Sequence, residues 1–398
     1  MGCNEVFLGD VVDLTSGGTP SKRNPEYWGG DIPWVSAKSM DADQLNGSLQ
    51  YITEAGLHAG SKLAPSGSIL ILTRGSGLFS RIPVIWMDSP AAFNQDVKCL
   101  VAKDPADARF IYHWLASQRD KISKQLDVTG IGAGKINTDQ LLAMRVFWPD
   151  RQTRCQISAL ADPFEAKLVL NRQTNDYLLE LVRVEFDRRF GAETPTTNLG
   201  NVMAISTHSL KPSACTGEIW EHYSIPAFDD NRRPVFEPAD NIKSNKYAID
   251  NDCILISKLN PSIKRLWLPC CTLERSVCST EFIVYKPKRP EHKSFYYAAI
   301  DSPSFTDFLL AHVAGSTGSR QRTHPKATLN YPMPNPSVED IEGFCEFADP
   351  IIARWQLNEQ GSAQLERLRD VLLPKLMSGE IDVSRINATR LNNHLSDC

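Results

Sequence analysis

The sequence predicts an α+β protein: two globular heads of mixed strand and helix, held apart by two long helices. Three observations carry this expectation. A segment in the middle of the chain recurs near the C-terminus at a constant offset of 187 residues. Both copies place apolar residues three and four apart, the period of a helix with one buried face. Between the copies the chain reads as short β-like runs broken by Gly/Pro turns, and that grammar also occurs twice.

The first copy of the segment, 157–190, carries Asp162-Pro163, Lys167, Leu170-Asn171, Gln173, Leu178 and Leu181. The second carries Asp349-Pro350, Arg354, Leu357-Asn358, Gln360, Leu365 and Leu368. Chance does not align eight positions without a gap, so the chain contains an internal repeat, with a period too long for a solenoid array. Ile157, Leu160, Phe164, Leu178 and Leu181 form the stripe of the first helix. Ile351, Trp355, Leu365, Leu368 and Leu372 form that of the second, which starts near Ile341 and Phe344. These residues are expected to pair the helices and to serve partner assembly. The stripes turn polar in the middle, at Asn171, Thr174, Asn358 and Ser362, so the seam is not a plain leucine zipper. Two helices of about 30 residues are roughly 45 Å long, long enough to pack on each other as a spacer. Two ordinary core helices remain the alternative.

The expected domains are 1–150, a first head; 151–193, a helical region; 194–336, a second head; 337–383, a second helical region; and 384–398, a polar tail. In the first head, Val11, Val12 and Leu14 begin a strand and Gly17 to Ser21 turn. Residues 27–35 lead into a strand, and Ser68 to Thr73 are an apolar strand. Arg74 to Gly77 are a tight turn, Phe110 to Leu126 a helix, and Gly130 to Lys135 a flexible loop. The second head echoes this through Leu199-Gly200-Asn201-Val202, Asp252 to Ile256, Phe295-Tyr296 and Val313-Ala314-Gly315. Between these anchors the heads differ, as one scaffold with two sets of loops would, and such loops carry specificity. Pro374 is expected to kink or stop the second helix.

A hydrophobic content of 42% and a charged content of 23% are ordinary for a soluble globular chain. No run of 18 apolar residues exists, so no membrane span is expected. No secretory signal opens the sequence, and Val6 breaks the myristoylation pattern. The ten cysteines lack any Cys-x-x-Cys spacing, which points to free thiols in the cytoplasm and to no metal. With a net charge of −4, contact with nucleic acid has to come from local basic patches.

Catalytic patterns are weak. Gly130-Ile131-Gly132-Ala133-Gly134-Lys135 is one residue short of a phosphate loop, and Ile136 replaces the Mg²⁺-binding hydroxyl. A flexible loop before a strand suits it better. Asp150, Glu165 and Lys167 match a nuclease pattern formally. Glu165 and Lys167 lie two apart on a helix, however, and face different ways. Asn260-Pro261-Ser262-Ile263 lacks the second proline and the ring of an amino-methyltransferase tetrad, and no Gly-rich AdoMet loop follows a strand.

With Leu368-Arg369-Asp370-Val371-Leu372-Leu373-Pro374-Lys375-Leu376-Met377-Ser378-Gly379-Glu380-Ile381, Asn171 to Asn175, the opening 8–35 and the 67–77 turn-strand-turn, the sequence resembles the DNA-specificity subunit of type I restriction-modification systems. The resemblance covers nearly the whole chain. His208 to Lys211 in place of Gly17-Gly18-Thr19 departs locally, as do the degenerate exits at Pro149-Asp150 and Pro334-Asn335-Pro336. The resemblance implies two target-recognition domains, each reading one half of a bipartite site. It implies that the two helices lie antiparallel and set the gap between half-sites. It further implies double-stranded DNA, two methyltransferase subunits and restriction subunits as partners, and a non-catalytic role. No cofactor is expected in this chain, with AdoMet, ATP and Mg²⁺ on the partner subunits. One turn of DNA is about 34–36 Å, a span the helices match. Phosphate and base contacts need Lys and Arg near exposed turns. The candidates are Lys22, Arg23, Lys38, Arg74, Arg81 and Lys135 in the first head. In the second they are Arg232, Arg233, Lys258, Lys264, Arg265, Arg320, Arg322 and Lys326. The rival readings are a self-contained DNA methyltransferase or nuclease, and a protein-binding scaffold without a DNA role. Salt-dependent mobility shift separates these.

Overall fold

The computed structural model describes residues 4–40, 45, 50–128, 130, 132–191, 194–314 and 321–383. Arg320, Ile131, Gly315 and the 384–398 tail, all singled out above, lie outside the described residues. The chain divides into two compact units, Met1–Val169 with Gly361–Cys398 (unit 1) and Leu170–Gln360 (unit 2). Both repeat segments are single helices, Arg151–Arg189 and Val338–Met377, and each contributes one part to each unit. At 39 and 40 residues they exceed the expected 30, because their caps lie further out. The Asp150 carboxylate accepts from the Thr153 amide at 3.0 Å. Ser337 Oγ accepts from the Asp340 amide at 3.1 Å. These two side chains, 187 apart, satisfy amide donors that a helix start leaves open, so the degenerate exits keep one function.

In unit 1 a four-stranded antiparallel sheet runs in the order Val12–Ser16, Val97–Ala102, Ile69–Leu72, Val84–Trp86. Ile69–Leu72 is buried at every residue, as an apolar run covered on both faces requires. The helix Ala108–Ser117 buries Phe110, Ile111, Trp114 and Leu115. The expected single helix from Phe110 to Leu126 is instead broken at Gln118, whose ψ of 2° ends the first piece before Arg119–Ser123. Val11 closes a helical turn, Leu8–Val11, rather than opening the strand.

Unit 2 repeats the sheet order with Met203–Ser206, Phe282–Pro287, Ile254–Ser257 and Leu266–Trp267. It keeps small details as well. Lys103 Nζ donates to the carbonyls of Gly9 and Asp10, both at 3.1 Å. Its counterpart Lys288 donates to Gly200 and Asn201 at 2.9 and 3.0 Å. The second sheets differ. Unit 1 has four strands, Gln50–Ile52, Trp28–Val35, Ala91–Phe93 and Lys62–Ala64. Unit 2 has five, Ser209–Leu210, Lys246–Ala248, Ser276–Ser279, Ile219–Tyr223 and Val235–Pro238.

Within each unit the two long helices run antiparallel. In unit 1, Ile157 packs in one core with Leu373 and Leu376, and Leu160 lies against it. Phe164, Leu168 and Leu365 form a smaller cluster with Leu372. In unit 2, Val182, Phe186 and Phe190 meet Phe344 and Ile352, with Ile351 and Trp355 at the margin. Two expected seam residues are corrected: Leu181 is 47% exposed and Leu368 is 52% exposed. Residues on a helix turn by about 100° each, so seating Val182 and Arg369 inward swings their neighbours out. Leu178 is half-buried. The polar middle is a register lock: Asn358 Nδ2 donates to Asn175 Oδ1 at 2.9 Å, and Asn175 Nδ2 donates to Glu359 at 2.6 Å. A buried amide pair is satisfied in one alignment only. Pro374 does not stop the second helix, which runs to Met377. The stop is Gly379, at φ 75°, where an added Cβ would lie 2.7 Å from the Phe147 ring.

Candidate nucleic-acid interface

The scaffold common to both units ends in a small β-ribbon. In unit 1 it comprises Asp127–Val128, Gly134–Lys135 and Arg74–Gly75, in that order, with Asp127 opposite Lys135 and Lys135 opposite Arg74. The expected turn at Arg74 and loop at Gly134 are therefore strand. A Cβ on Gly134 would lie 3.1 Å from Leu78 Cβ, so the glycine serves close packing. Arg74 and Lys135 are exposed and have no ion-pair partner among the described residues. In unit 2, Val313–Ala314 pairs with Arg322–Thr323, and Leu259 bridges Arg322. Arg322 makes a bidentate pair with Glu281, both distances 3.0 Å.

The remaining basic candidates scatter over several elements. Lys22 and Arg23 are exposed on the loop before Pro25–Tyr27, and Lys38 on the 3₁₀ turn Ala37–Ser39. Lys326 is exposed on Pro325–Thr328. Arg81, Arg233 and Lys258 are half-buried. Arg232 caps Ile225–Asn231 in a left-handed conformation, with its guanidinium 5.4 Å from the Phe228 ring. Lys264 is held by Asp301. Arg265 is corrected as a surface cation: it is 6% exposed and makes a bidentate pair with Asp229 at 2.5 and 2.8 Å. A guanidinium buried against its own carboxylate anchors a helix and is not open to a phosphate.

Two residues escaped the sequence reading. Tyr51 and Phe236 are 45% and 43% exposed on the edge strands Gln50–Ile52 and Val235–Pro238. Their partners across the ladder, Pro33 and Glu221, hold equivalent places beside the parallel pairs Trp34↔Ala92 and His222↔Val277. An exposed aromatic on a sheet edge is a liability, and it recurs here in otherwise dissimilar sheets. Only a signal of register, invisible in the sequence, would have found it.

The repeated aspartates dock each head onto a long helix. Asp162 accepts from Arg109 Nε at 2.8 Å and lies 2.6 Å from His113 Nε2. Burial works to raise the Asp162 carboxyl, but the bonds from His113 and Arg109 outweigh it and the net shift is downward. Burial pushes the His113 imidazole below its ordinary value, against the pull of Asp162. In unit 2, Ser294 donates to Asp349. Glu165, once a formal nuclease carboxylate, pairs with Arg369 at 3.2 Å. Among the described residues no group of three His, Cys, Asp or Glu side chains could hold a metal ion, and the eight described cysteines are free thiols. No helix among them is long and apolar enough to cross a membrane.

Residues 2–180 match the family model of the type I restriction modification DNA specificity domain. The chain is 22% identical over 417 residues to the type I restriction enzyme MjaIX specificity subunit of Methanocaldococcus jannaschii, covering 95% of this chain and 93% of that one. The chain is thus similar over nearly its whole length to a type I specificity subunit, and residues 2–180 carry the match to the family's domain. Identity rises to 34% over 160 residues with the EcoR124I/EcoR124II specificity subunit of Escherichia coli, a match that spans 40% of each chain. The crystal structure of the type I restriction-modification system S subunit from M. genitalium shares the fold, with a TM-score of 0.56 at 16% identity over 95% of this chain and 96% of that one. The fold of the chain is thus that of the M. genitalium S subunit, and within it the two second sheets differ in strand number.

Proposed function

We propose that this chain is the DNA-recognition subunit of a type I restriction-modification complex and acts in the cytoplasm. Each unit reads one half of a bipartite duplex target, chiefly through the loops and edge strands of its second sheet. The chain itself is non-catalytic. Two methyltransferase subunits bring AdoMet, and restriction subunits bring ATP and Mg²⁺. The carrying observation is that one sheet-and-helix scaffold occurs twice while the second sheets differ in strand number, as two readers of unlike sequences would.

Partner docking has its own support. Leu170, Leu181 and Val184 on the first long helix are exposed, as are Leu357, Leu368 and Val371 on the second. Each pair is 187 apart. Apolar side chains kept outside the core at equivalent places of both halves suit a partner that binds twice.

Selection from randomised duplex DNA by the full chain with its methyltransferase tests the recognition role. Two separated half-sites are expected, and replacing 203–287 by another family member's segment should change one half-site only. Recovery of a single contiguous motif, or of none, would count against two independent readers.

A further inference from the structure

We infer that Arg74 and Lys135 form a two-cation clamp for a DNA backbone phosphate in unit 1, and that unit 2 lacks it because Leu259 stands in the place of Arg74 and Glu281 neutralises Arg322. The inference rests on the DNA-binding reading above. Residues directly opposed on an antiparallel ladder have Cβ atoms about 5 Å apart on one face, and like charges there are unfavourable. Arg74 and Lys135 are so opposed, and both are exposed. Their approach is enforced by the neighbouring Gly75↔Gly134 pair, which brings the two backbones together over Leu78.

A third cation adds to the cluster. Lys98 Nζ donates to Ser16 Oγ at 2.6 Å and to the Gln95 carbonyl at 3.0 Å. Burial, offset by Asp96, lowers its ammonium, and the charge of Arg74 lowers it further. Asp127 flanks Lys135 on its other side and Asp96 lies near Lys98, yet neither carboxylate pairs with Arg74 or Lys135. The free chain therefore holds two like charges in a strained pairing that a phosphate oxygen would relieve, with the guanidinium fork and the ammonium as donors.

Unit 2 provides the internal control. Leu259 stands where Arg74 stands, Arg322 where Lys135 stands, and Glu281 where Asp96 stands. Glu281 reaches Arg322 with both oxygens, so among the described residues of that ribbon Arg322 is matched by a carboxylate.

The test measures binding of the full chain, complexed with its methyltransferase, to duplex DNA over graded salt, alongside thermal unfolding of the free chain. Arg74→Gln and Lys135→Gln should each weaken binding and reduce the log–log salt slope by about 0.9. Neither should lower the melting temperature, because a repulsion is removed. Arg322→Gln should leave the slope unchanged. Glu281→Gln should increase it by about 0.9, as a cation is released. A merely structural ribbon predicts the reverse: lost stability and an unchanged slope. The clamp is refuted if Arg74→Gln and Lys135→Gln bind with wild-type affinity and slope while the wild type itself binds. A wild-type complex with no salt-dependent binding would instead overturn the DNA-binding reading.

Discussion

Glu165 and Arg369 in unit 1 occupy the same positions of the helix pair as Ile352 and Val182 in unit 2, each 187 residues away. One seam position holds a shielded ion pair at 3.2 Å, and its twin holds two buried aliphatic side chains. The repeat thus conserves the volume and the antiparallel register, not the chemistry. A charge pair in a shielded seam is tolerated because each partner satisfies the other, and its net contribution to stability can be close to that of an apolar pair. The seams also differ in kind further along. Unit 2 packs Phe186, Phe190, Phe295 and Phe344 with centroids 5.1 to 6.1 Å apart, edge to face except for the tilted Phe186–Phe295 pair. Unit 1 has Ile157, Leu373 and Met377 at the matching helix places.

The contrast can be broken most forcefully at the aromatic seam. Phe344→Ala should destabilise unit 2 by about 4 kcal/mol, read as an early unfolding transition by calorimetry, while proteolytic protection of unit 1 persists. Next in size, Arg369→Val leaves Glu165 shielded and unpaired, for a loss of about 3 kcal/mol. The double variant Glu165→Ile/Arg369→Val should regain most of it, since it rebuilds the unit 2 solution. A double variant as unstable as the single would refute the equivalence of the two seams.

A smaller difference is titratable. Ala298 stands in unit 2 where unit 1 has His113. Burial holds the His113 folded-state value below its ordinary 6.5, so between that lowered value and 6.5 the unfolded chain binds more protons. Stability therefore falls as pH drops from neutrality through that window. Asp162, depressed in the folded state, adds a loss at lower pH as its carboxylate protonates. His113→Gln should flatten the melting temperature between pH 7 and 5.5 in part. His222 is lowered by burial as well and keeps the remainder. Smallest of all in stability, Leu181→Glu and Leu368→Glu should stay within about 0.5 kcal/mol of wild type, yet lose co-purification with methyltransferase. Full co-purification would place the docking surface elsewhere.

The duplicated scaffold was legible because its anchors recur at fixed offsets: Asp162 and Asp349 dock the heads, and Asn171 and Asn358 are both buried in the seam. Leu181 and Leu368 misled for an instructive reason. Identity between repeats records a shared role, and a shared role on the surface looks the same in sequence as one in the core. Only the inward phase of Val182 and Phe186 separates them. The basic residues were harder still. Arg265 and Arg322 find carboxylates 36 and 41 positions away, and neither pairing leaves a local trace. The clamp pair Arg74 and Lys135 lies 61 residues apart in sequence and meets only through the ribbon.

Unit 2 is one uninterrupted stretch, whereas unit 1 is assembled from segments on either side of it. A ribosome delivering the chain from its N-terminus completes unit 2 while Ile157 still awaits Leu373, Leu376 and Met377. Domains close as units during synthesis, and all residues of unit 2 leave the ribosome before the last segment of unit 1 does. The unit 1 helix seam, with the Gly379 turn against Phe147, therefore has its last partners delivered after every residue of unit 2.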